Sequence, residues 1–309
     1  PSNRFLPTDK DNFLVAFKWT GIDKMTLSNR QKLTFEYEGY GGLRTTFYLK
    51  TEEQEPVGAM SFTKLSQPNL TEAEYKGMRP HDQFLRTTEL FAELRYAPDE
   101  TYINSKQRRV TINKDAPVLS ISHTMGLRNV LGGDYTYNLT EAKLYKRFWL
   151  NSWGKIDFFL KGGIQWNQVP YPLLIHPIAN QSFIIEEEMF NLINNMEFMN
   201  DHYASVMLSW DLNGKIFNRI PLIRHLKWRE YIGINTLWGG LSDKNNPYAP
   251  ENIGSDKLMY FPEGCYVMDT KKPYMELVLG VHNIFKIFHV EYVRRLTYLG
   301  LPTSEKWGI

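Results

Sequence analysis

The stretch KIDFFLKGGIQW, residues 155–166, places an apolar side chain at almost every second position. The apolar positions of this stretch are Ile156, Phe158, Leu160, Ile164 and Trp166. The positions between them include Lys155, Asp157, Lys161 and Gln165. Successive side chains of a β-strand point to opposite faces of a sheet. This period of two therefore predicts a strand with one apolar face and one polar face.

The same alternation recurs in residues 87–96, 204–212 and 274–282. The alternating stretches 87–96, 139–150 and 155–166 last ten residues or more, whereas strands of soluble sandwiches usually run about five or six residues. A tilted strand needs about 9–11 residues to cross the hydrocarbon of a bilayer. The alternation alone fits either architecture, but the strand length favours an all-β, antiparallel, up-and-down transmembrane β-barrel over a soluble sandwich.

In a barrel of this kind, the side chains at alternate positions of a strand, here called its two phases, lie in two different environments. The apolar phase is predicted to face lipid at Leu90, Leu94, Phe158, Leu160, Val206, Leu208, Leu277 and Leu279. The charged phase is predicted to line the lumen at Glu89, Glu93, Arg95, Lys143, Asp157, Lys161, Arg229, Glu276, Glu291 and Arg295. Both signs are interspersed across neighbouring strands, which fits a selectivity lining of a pore and equally a closed lumen braced by ion pairs.

The composition excludes several classes of function. Lys and Arg number 36 against 34 Asp and Glu, so the net charge of +2 gives no general attraction to nucleic acid. The mean hydropathy is −0.41 and no apolar run reaches about 18 residues, which argues against helical membrane spans. The single cysteine excludes an intramolecular disulfide. The seven histidines are scattered without zinc-ligand spacing, so we expect no metal and no cofactor.

About fourteen strands are predicted, including residues 13–20, 57–63 and 107–113. The long connections at residues 168–201 and 240–272 fall on one side of the sheet, and the short turns at residues 151–153 and 283–285 fall on the other. Residues 64–83 are predicted as an exception, a long connection on the short-turn side. Outer-membrane barrels have long outer loops and short periplasmic turns, whereas soluble sandwiches lack this sidedness.

Five motifs are distinctive: NRIPLIRHLKWRE at residues 218–230, WGGLSDKN at 238–245, ELRYAP at 93–98, LGGDY at 131–135 and VPYPLL at 169–174. Together they resemble the C-terminal barrel of an outer-membrane family of Bacteroidetes-type bacteria. In that family, a carboxypeptidase-regulatory-like β-sandwich precedes a C-terminal domain of unknown function. The barrel is similar in pattern to the BamA-like surface-antigen superfamily.

This resemblance implies a sixteen-stranded barrel in the cell outer membrane. Residues 1–309 would then be a single barrel domain, with an upstream periplasmic domain and the final strand outside this sequence. The resemblance also implies that the loop at residues 168–201 folds back into the lumen. The motif Val-Arg-Gly-Phe/Tyr, which marks that loop in BamA-like proteins, is absent, so the resemblance does not carry an insertase role.

Residues 168–201 have an unusual composition for a loop. Pro170, Pro172 and Pro177 exclude a regular strand. Residues such as Phe190 and Ile193 are too apolar for a freely solvated connection. We predict a short amphipathic helix over residues 187–199 and a plug that packs in or over the lumen.

These patterns favour an outer-membrane barrel with a structural, transport or envelope-assembly role, and no enzyme activity. The expected partners are membrane lipid, lipopolysaccharide at the outer rim and possible client proteins. One alternative is an outer-membrane hydrolase at the extracellular rim, for which Asp201 and His202 are the candidate residues. As neighbours in a strand, their side chains would point to opposite faces, which argues against a shared site. A soluble secreted sandwich or adhesin is the other alternative.

Overall fold

The computed structural model describes residues 24–67, 84–104, 109–112, 115–180 and 188–309. Within these ranges, the strands are β1 Lys24–Glu38, β2 Leu43–Gly58, β3 Leu85–Tyr96, β4 Tyr102–Asn104, β5 Arg109–Thr111, β6 Val118–Gly126, β7 Tyr137–Trp149, β8 Lys155–Gln165, β9 Phe198–Met199, β10 His202–Asp211, β11 Arg229–Gly240, β12 Tyr266–Val267, β13 Tyr274–Ile284, β14 Phe288–Arg295 and β15 Trp307–Gly308. One-turn 3-10 helices occupy Tyr40–Gly42, Asn151–Trp153, Tyr171–Leu173, Phe217–Arg219, Ile223–His225, Asp243–Asn245 and Pro250–Asn252. No helix among the described residues is long and apolar enough to cross a bilayer.

Eleven of these strands form one sheet in the order β1-β2-β3-β6-β7-β8-β10-β11-β13-β14-β15. Every neighbouring pair in this sheet is antiparallel. The four remaining strands form two small pairs within the connections, β4 with β5 and β9 with β12. The order follows the chain from one edge to the other, which confirms the predicted all-β, antiparallel, up-and-down architecture.

Two of the predicted strands are wrong. Residues 57–63 do not form a strand of their own, because β2 continues to Gly58 and Met60 and Phe62 then turn into the buried core. The described part of residues 107–113 contributes only the short β5, which pairs with β4 inside the connection between β3 and β6. The predicted strand at residues 13–20 lies outside the described residues.

The connections divide between two ends of the sheet. Among the described residues, the loop end carries 59–67 with 84, 127–136, 166–180, 188–201, 241–273 and 296–306. The turn end carries the described residues 39–42, 97–104, 109–112, 115–117, 150–154, 212–228 and 285–287. The predicted exception is wrong, because β2 ends and β3 begins at the loop end, so the described residues 59–67 and 84 lie with the other long loops. A bridge between Lys64 and Met259, and a 3.0 Å bond from the Leu65 amide to the Leu258 carbonyl, hold two of these loops together.

The sheet curls around residues 168–180 and 188–200, which we call the inner segment. Asn195 of this segment donates from Nδ2 to the Lys24 carbonyl on β1 at 2.8 Å. Two residues later, Glu197 forms an ion pair with Arg295 on β14 at 2.7 Å. Nine strand spacings separate β1 from β14, which would place them roughly 43 Å apart in a flat sheet. Both strands can reach the same short segment only if the sheet closes most of the way around it.

The hydrophobic core lies between the sheet and the inner segment. One cluster of buried side chains joins Met60 and Tyr137 to Tyr171 and Met199. A second cluster joins Phe159 and Met207 of the strands to Phe190, Ile193 and Phe198 of the inner segment. The opposite face of the sheet, which we call the outer face, exposes large apolar side chains on successive strands: Phe47, Leu90, Leu94, Leu119, Ile121, Leu160, Ile164, Ile234, Leu279 and Val290.

Candidate functional site

The inner segment folds back on itself inside the curled sheet. Bridges join Ile175 to Asn200 and Ala179 to Phe190, so the two described halves of the segment run beside each other. The helix predicted over residues 187–199 is wrong for the described part, which consists of turns, a bridge and β9. Glu188 and Met196 adopt positive φ angles of 73° and 58°, which an α-helix does not allow.

Burial shows that the inner segment belongs to the interior. Tyr171, Ile193 and Phe198 are almost completely shielded from solvent. The Phe198 ring makes edge contacts with Tyr274 on β13 and Tyr298 after β14, with centroid distances of 5.9 Å and 5.2 Å. Aromatic pairs in this geometry add to the free energy gained from burying their area. The segment is therefore packed against the inner face of the sheet, which we call the wall, and is not a loose loop in the lumen.

The first polar anchor of the inner segment is the ion pair between Glu197 and Arg295. Both side chains are 0% exposed, and Arg295 Nη2 lies 2.7 Å from Glu197 Oε1. Arg295 also donates to the carbonyls of Leu192 and Thr297 at 3.2 Å and 3.1 Å. A buried charge is tolerated when a partner charge and hydrogen bonds replace its lost water. Arg295 therefore depends on the inner segment for most of the polar contacts that stabilise its buried charge.

The second anchor is Glu276 on β13, which is directly opposite Arg295 in the register of β13 and β14. Its carboxylate accepts from the backbone amides of Asn191 and Leu192 at 3.0 Å and 3.2 Å. The side chains of Asn235 and Tyr274 complete its shell, each at 2.8 Å. The wall thus provides a buried carboxylate that captures two amides of the inner segment.

The third anchor is Glu188, which lies between two lysines of the wall. Lys143 on β7 and Lys161 on β8 are direct register partners, so their like charges would repel each other. The Glu188 carboxylate lies 2.8 Å from Lys143 Nζ and 2.5 Å from Lys161 Nζ. Glu188 relieves this repulsion and ties the inner segment to a part of the wall far along the sheet from β14.

Four of the remaining charged residues of the prediction form pairs with neighbouring side chains. Glu89 pairs with Lys50 at 2.8 Å, and Asp157 pairs with Arg147 at 2.6 Å. Arg95 binds Glu100 of the connection 97–117 through two 2.7 Å bonds. Glu291 accepts a hydrogen bond from His282 Nε2 at 2.8 Å. Glu93 is half-buried, and Arg229 is exposed at the first position of β11.

The residues predicted to face lipid lie on the face opposite Glu89, Asp157 and Glu276, because neighbouring side chains of a strand alternate. The exposed members of the set are Leu90, Leu94, Leu160 and Leu279. The half-buried members are Phe158, Val206, Leu208 and Leu277. None of the eight belongs to the clusters that pack against the inner segment.

A polar cavity of about 280 Å³ lies between the inner segment and the turn end. The His282 ring stacks between Tyr231 and His289, with centroid distances of 4.5 Å and 4.2 Å. Lys155, Asp157, Asn235 and Glu291 are among the other lining residues. The cavity is closed toward the loop end by Glu188, Met189 and Asn191 of the inner segment.

Asp201 and His202 meet, contrary to the prediction that their side chains diverge. Asp201 precedes β10, so strand alternation does not govern it, and its Oδ1 lies 2.6 Å from His202 Nδ1. Its Oδ2 accepts from the amide and hydroxyl of Ser242 and from Asn245 Nδ2. Burial acts to raise the pKa of Asp201, but these hydrogen bonds together bring that pKa below its ordinary value.

The Asp201 cluster joins two of the distinctive motifs. Asn245 of WGGLSDKN accepts the Val169 amide at 2.8 Å, at the first residue of VPYPLL. Its Nδ2 donates to Asp201 at 2.9 Å. These hydrogen bonds therefore hold the loops together at the point where the inner segment enters the curled sheet.

Some residues of this site were missed by the sequence prediction, above all Glu197, Asn191 and Asn235. Glu197 is the lone charge in the apolar run MFNLINNMEFM at residues 189–199, which is a usable signal of a buried ion pair. Nothing in the local sequence marks Asn191 or Asn235.

No group of three or more His, Cys, Asp or Glu side chains among the described residues could hold a metal ion.

The sequence matches the C-terminal domain of a family of unknown function (DUF5686) over residues 29–252. A comparison with curated proteins finds no match. Among solved structures, BamA from Haemophilus ducreyi lacking POTRA domains 1-3 is similar, with a TM-score of 0.54 and 10% identity. The match covers 92% of this chain and 53% of that one, so the chain spans about half the length of the BamA structure. The likeness supports the predicted barrel fold.

Proposed function

Because the chain belongs to the family defined by the DUF5686 C-terminal domain, whose function is unknown, we propose its role from its own geometry. It is an outer-membrane β-barrel domain whose interior is closed by its inner segment. The observation that carries this proposal is the contrast between the two faces of one sheet. Apolar side chains on one face are exposed, whereas charges on the other face are buried and paired.

The outer face supports a lipid environment. In a soluble sandwich, the apolar face of a sheet packs against a second sheet and the charged face meets water. Here the charged face holds the core, and Leu90, Leu160 and Leu279 of the other face are exposed. Exposed apolar patches of this extent mark a surface that another apolar phase covers. A lipid bilayer would cover all strands of a curled sheet at once.

The filled interior supports a closed resting state. The inner segment is held by buried charges on β13 and β14 and by lysines on β7 and β8. During transport or envelope assembly, the charged groups that hold the inner segment could form ion pairs with other partners in its place. A segment held by apolar contacts alone would have no such replacement and would stay in the interior. We infer that passage through the domain, of solute or of a client protein, requires displacement of the inner segment.

The loop end would face the cell exterior and the turn end the periplasm, since outer-membrane barrels place their long loops outside. Lipopolysaccharide at the outer rim and phospholipid elsewhere are then the partners of the outer face. We infer that the domain is not a hydrolase. Asp201 is saturated by donors from Ser242 and Asn245, so its contact with His202 serves to hold the loops.

Extraction of cell envelopes tests the membrane assignment directly. The full-length protein is expected to remain in the membrane pellet after washes with alkaline carbonate and with high salt, and to be released only by detergent. A known peripheral protein in the same envelopes provides the control for the wash. Release of this protein by carbonate would overturn the proposal and favour a soluble sandwich or adhesin.

A further inference from the structure

A basic strap connects β10 to β11 at the turn end of the sheet. We define it as residues 212–229, which contain no Asp or Glu. Its cationic and titratable side chains are Lys215, Arg219, Arg224, His225, Lys227 and Arg229. The whole chain is almost neutral, with 36 basic and 34 acidic residues, so the strap is a local concentration of positive charge.

The strap is ordered by contacts with the rest of the fold. It contains the 3-10 turns Phe217–Arg219 and Ile223–His225. The Glu230 carboxylate on β11 accepts the amide of Phe217. Asn283 at the end of β13 donates from Nδ2 to the Lys227 carbonyl at 2.6 Å. The backbone of the strap therefore has fixed attachments to two strands, and its side chains have defined directions.

This ordered strap nevertheless presents apolar side chains to the outside. Leu222 is 84% exposed and Leu226 is 49% exposed, and Ile216 and Ile220 are exposed as well. Phe285 and Ile287, in the neighbouring turn at the same end, are also largely exposed. Apolar groups held outward by a fixed backbone indicate a surface that is covered by a partner.

The cations of the strap lack carboxylate partners within the described part of the chain, although Arg224 Nε lies 3.4 Å from His225 Nε2. No described carboxylate lies within ion-pair distance of Arg219, Arg224 or Lys227. Lys215 instead donates to Ser152 and lies over the Trp153 ring, 5.2 Å from its centroid. Trp153 and Trp210 form a ring pair beside it, which extends the apolar surface toward the outer face.

We propose that the basic strap binds anionic phospholipid at the bilayer surface, with Leu222 and Leu226 entering the acyl boundary and the cations contacting headgroup phosphates. This inference rests on the proposed function, because it requires the turn end to lie at the periplasmic leaflet. Interfacial segments combine basic side chains with apolar ones in this way. A protein partner would have to match both the unpaired cations and the apolar residues beside a lipid-covered wall, whereas a bilayer supplies both at that position.

Native mass spectrometry of the detergent-solubilised full-length protein tests this binding. The probes are dioleoylphosphatidylglycerol and dioleoylphosphatidylcholine, each added at the same concentration, with inorganic phosphate as a competitor. The test variant is Arg219→Gln/Arg224→Gln/Lys227→Gln. The matched control, Arg128→Gln/Lys257→Gln/Lys271→Gln, removes three exposed cations at the loop end. A second variant, Leu222→Ser/Leu226→Ser, tests the apolar contact without changing the charge.

The native protein is expected to retain phosphatidylglycerol at least about tenfold more strongly than phosphatidylcholine, since each Lys or Arg near a bilayer adds severalfold attraction. The test variant is expected to lose this preference, the control to keep it, and the serine variant to retain less of both lipids. Equal retention of the two lipids, or an equal loss in the control, would overturn the inference. Displacement by inorganic phosphate would also overturn it in favour of a phosphate-ion site. Absence of any bound lipid together with solubility without detergent would instead refute the proposed function.

Discussion

At the scale of single residues, Glu197 holds the inner segment through a charge that has no access to water. Changing Glu197→Gln leaves Arg295 buried without a counter-charge, and breaking a buried pair in this way costs about 3–5 kcal/mol. We expect the free energy of unfolding, measured by urea titration in detergent, to fall by about 3 kcal/mol. The double variant Glu197→Met/Arg295→Met should be closer to the native protein. An unchanged midpoint in the single variant would contradict the role of this pair.

Asp201 gives a prediction about pH. Its pKa is lowered in the folded state by hydrogen bonds, so its contribution to stability is present above about pH 4, the pKa of an unfolded aspartate, and is lost as the pH falls through the folded value. Asp201→Asn should therefore reduce the free energy of unfolding by about 2 kcal/mol at pH 7, and by progressively less below pH 4. Exposed Asp256→Asn serves as the control and should show no such difference. A pH-independent loss would refute this assignment.

At the scale of elements, substitutions near the middle of a strand test whether the outer face contacts lipid or water. Leu160 and Leu279 lie near the midpoints of β8 and β13 on the outer face. Arginine at the midplane of a lipid-facing strand costs about 2–4 kcal/mol, whereas on a water-facing strand it costs little. We expect Leu160→Arg and Leu279→Arg to reduce folding into vesicles, measured by the heat-modifiable shift on gels. Leu131→Arg, in a loop where Leu131 is 68% exposed, should fold normally.

The strands were largely predictable from sequence because alternation is a local signal. The predicted stretch at residues 155–166 and the observed β8 differ by one residue. The predicted strand at residues 57–63 is wrong because β2 extends to Gly58 and the chain then enters the core. Met60 and Phe62 are apolar because they are buried there, and their spacing of two residues looks the same as that of a strand. The anchors were less predictable, since Glu197 and Arg295 are 98 residues apart and meet only when the sheet curls.

At the scale of the whole molecule, the curl of the sheet accounts for the different side chains on its two faces. An eleven-stranded sheet that curls around its own loop turns its charges inward, where Lys161, Glu276 and Arg295 contact partners on the inner segment, and its apolar side chains outward. Neither arrangement is stable alone, because unpaired inward charges would be costly to bury and outward leucines would be exposed to water. The filled interior and the exposed apolar outer face are therefore two consequences of one fold.

This coupling predicts the electrical behaviour of the domain in planar bilayers. The native protein should show little steady conductance, because the inner segment fills the interior. The variant Glu188→Gln/Glu197→Gln removes both acidic anchors of that segment and should show frequent openings at the same voltage and salt. The matched control is Glu291→Gln, which removes a wall carboxylate paired with His282 and leaves the anchors intact. A large native conductance that the double variant does not change would show that ions pass beside the inner segment, and that it does not close the barrel.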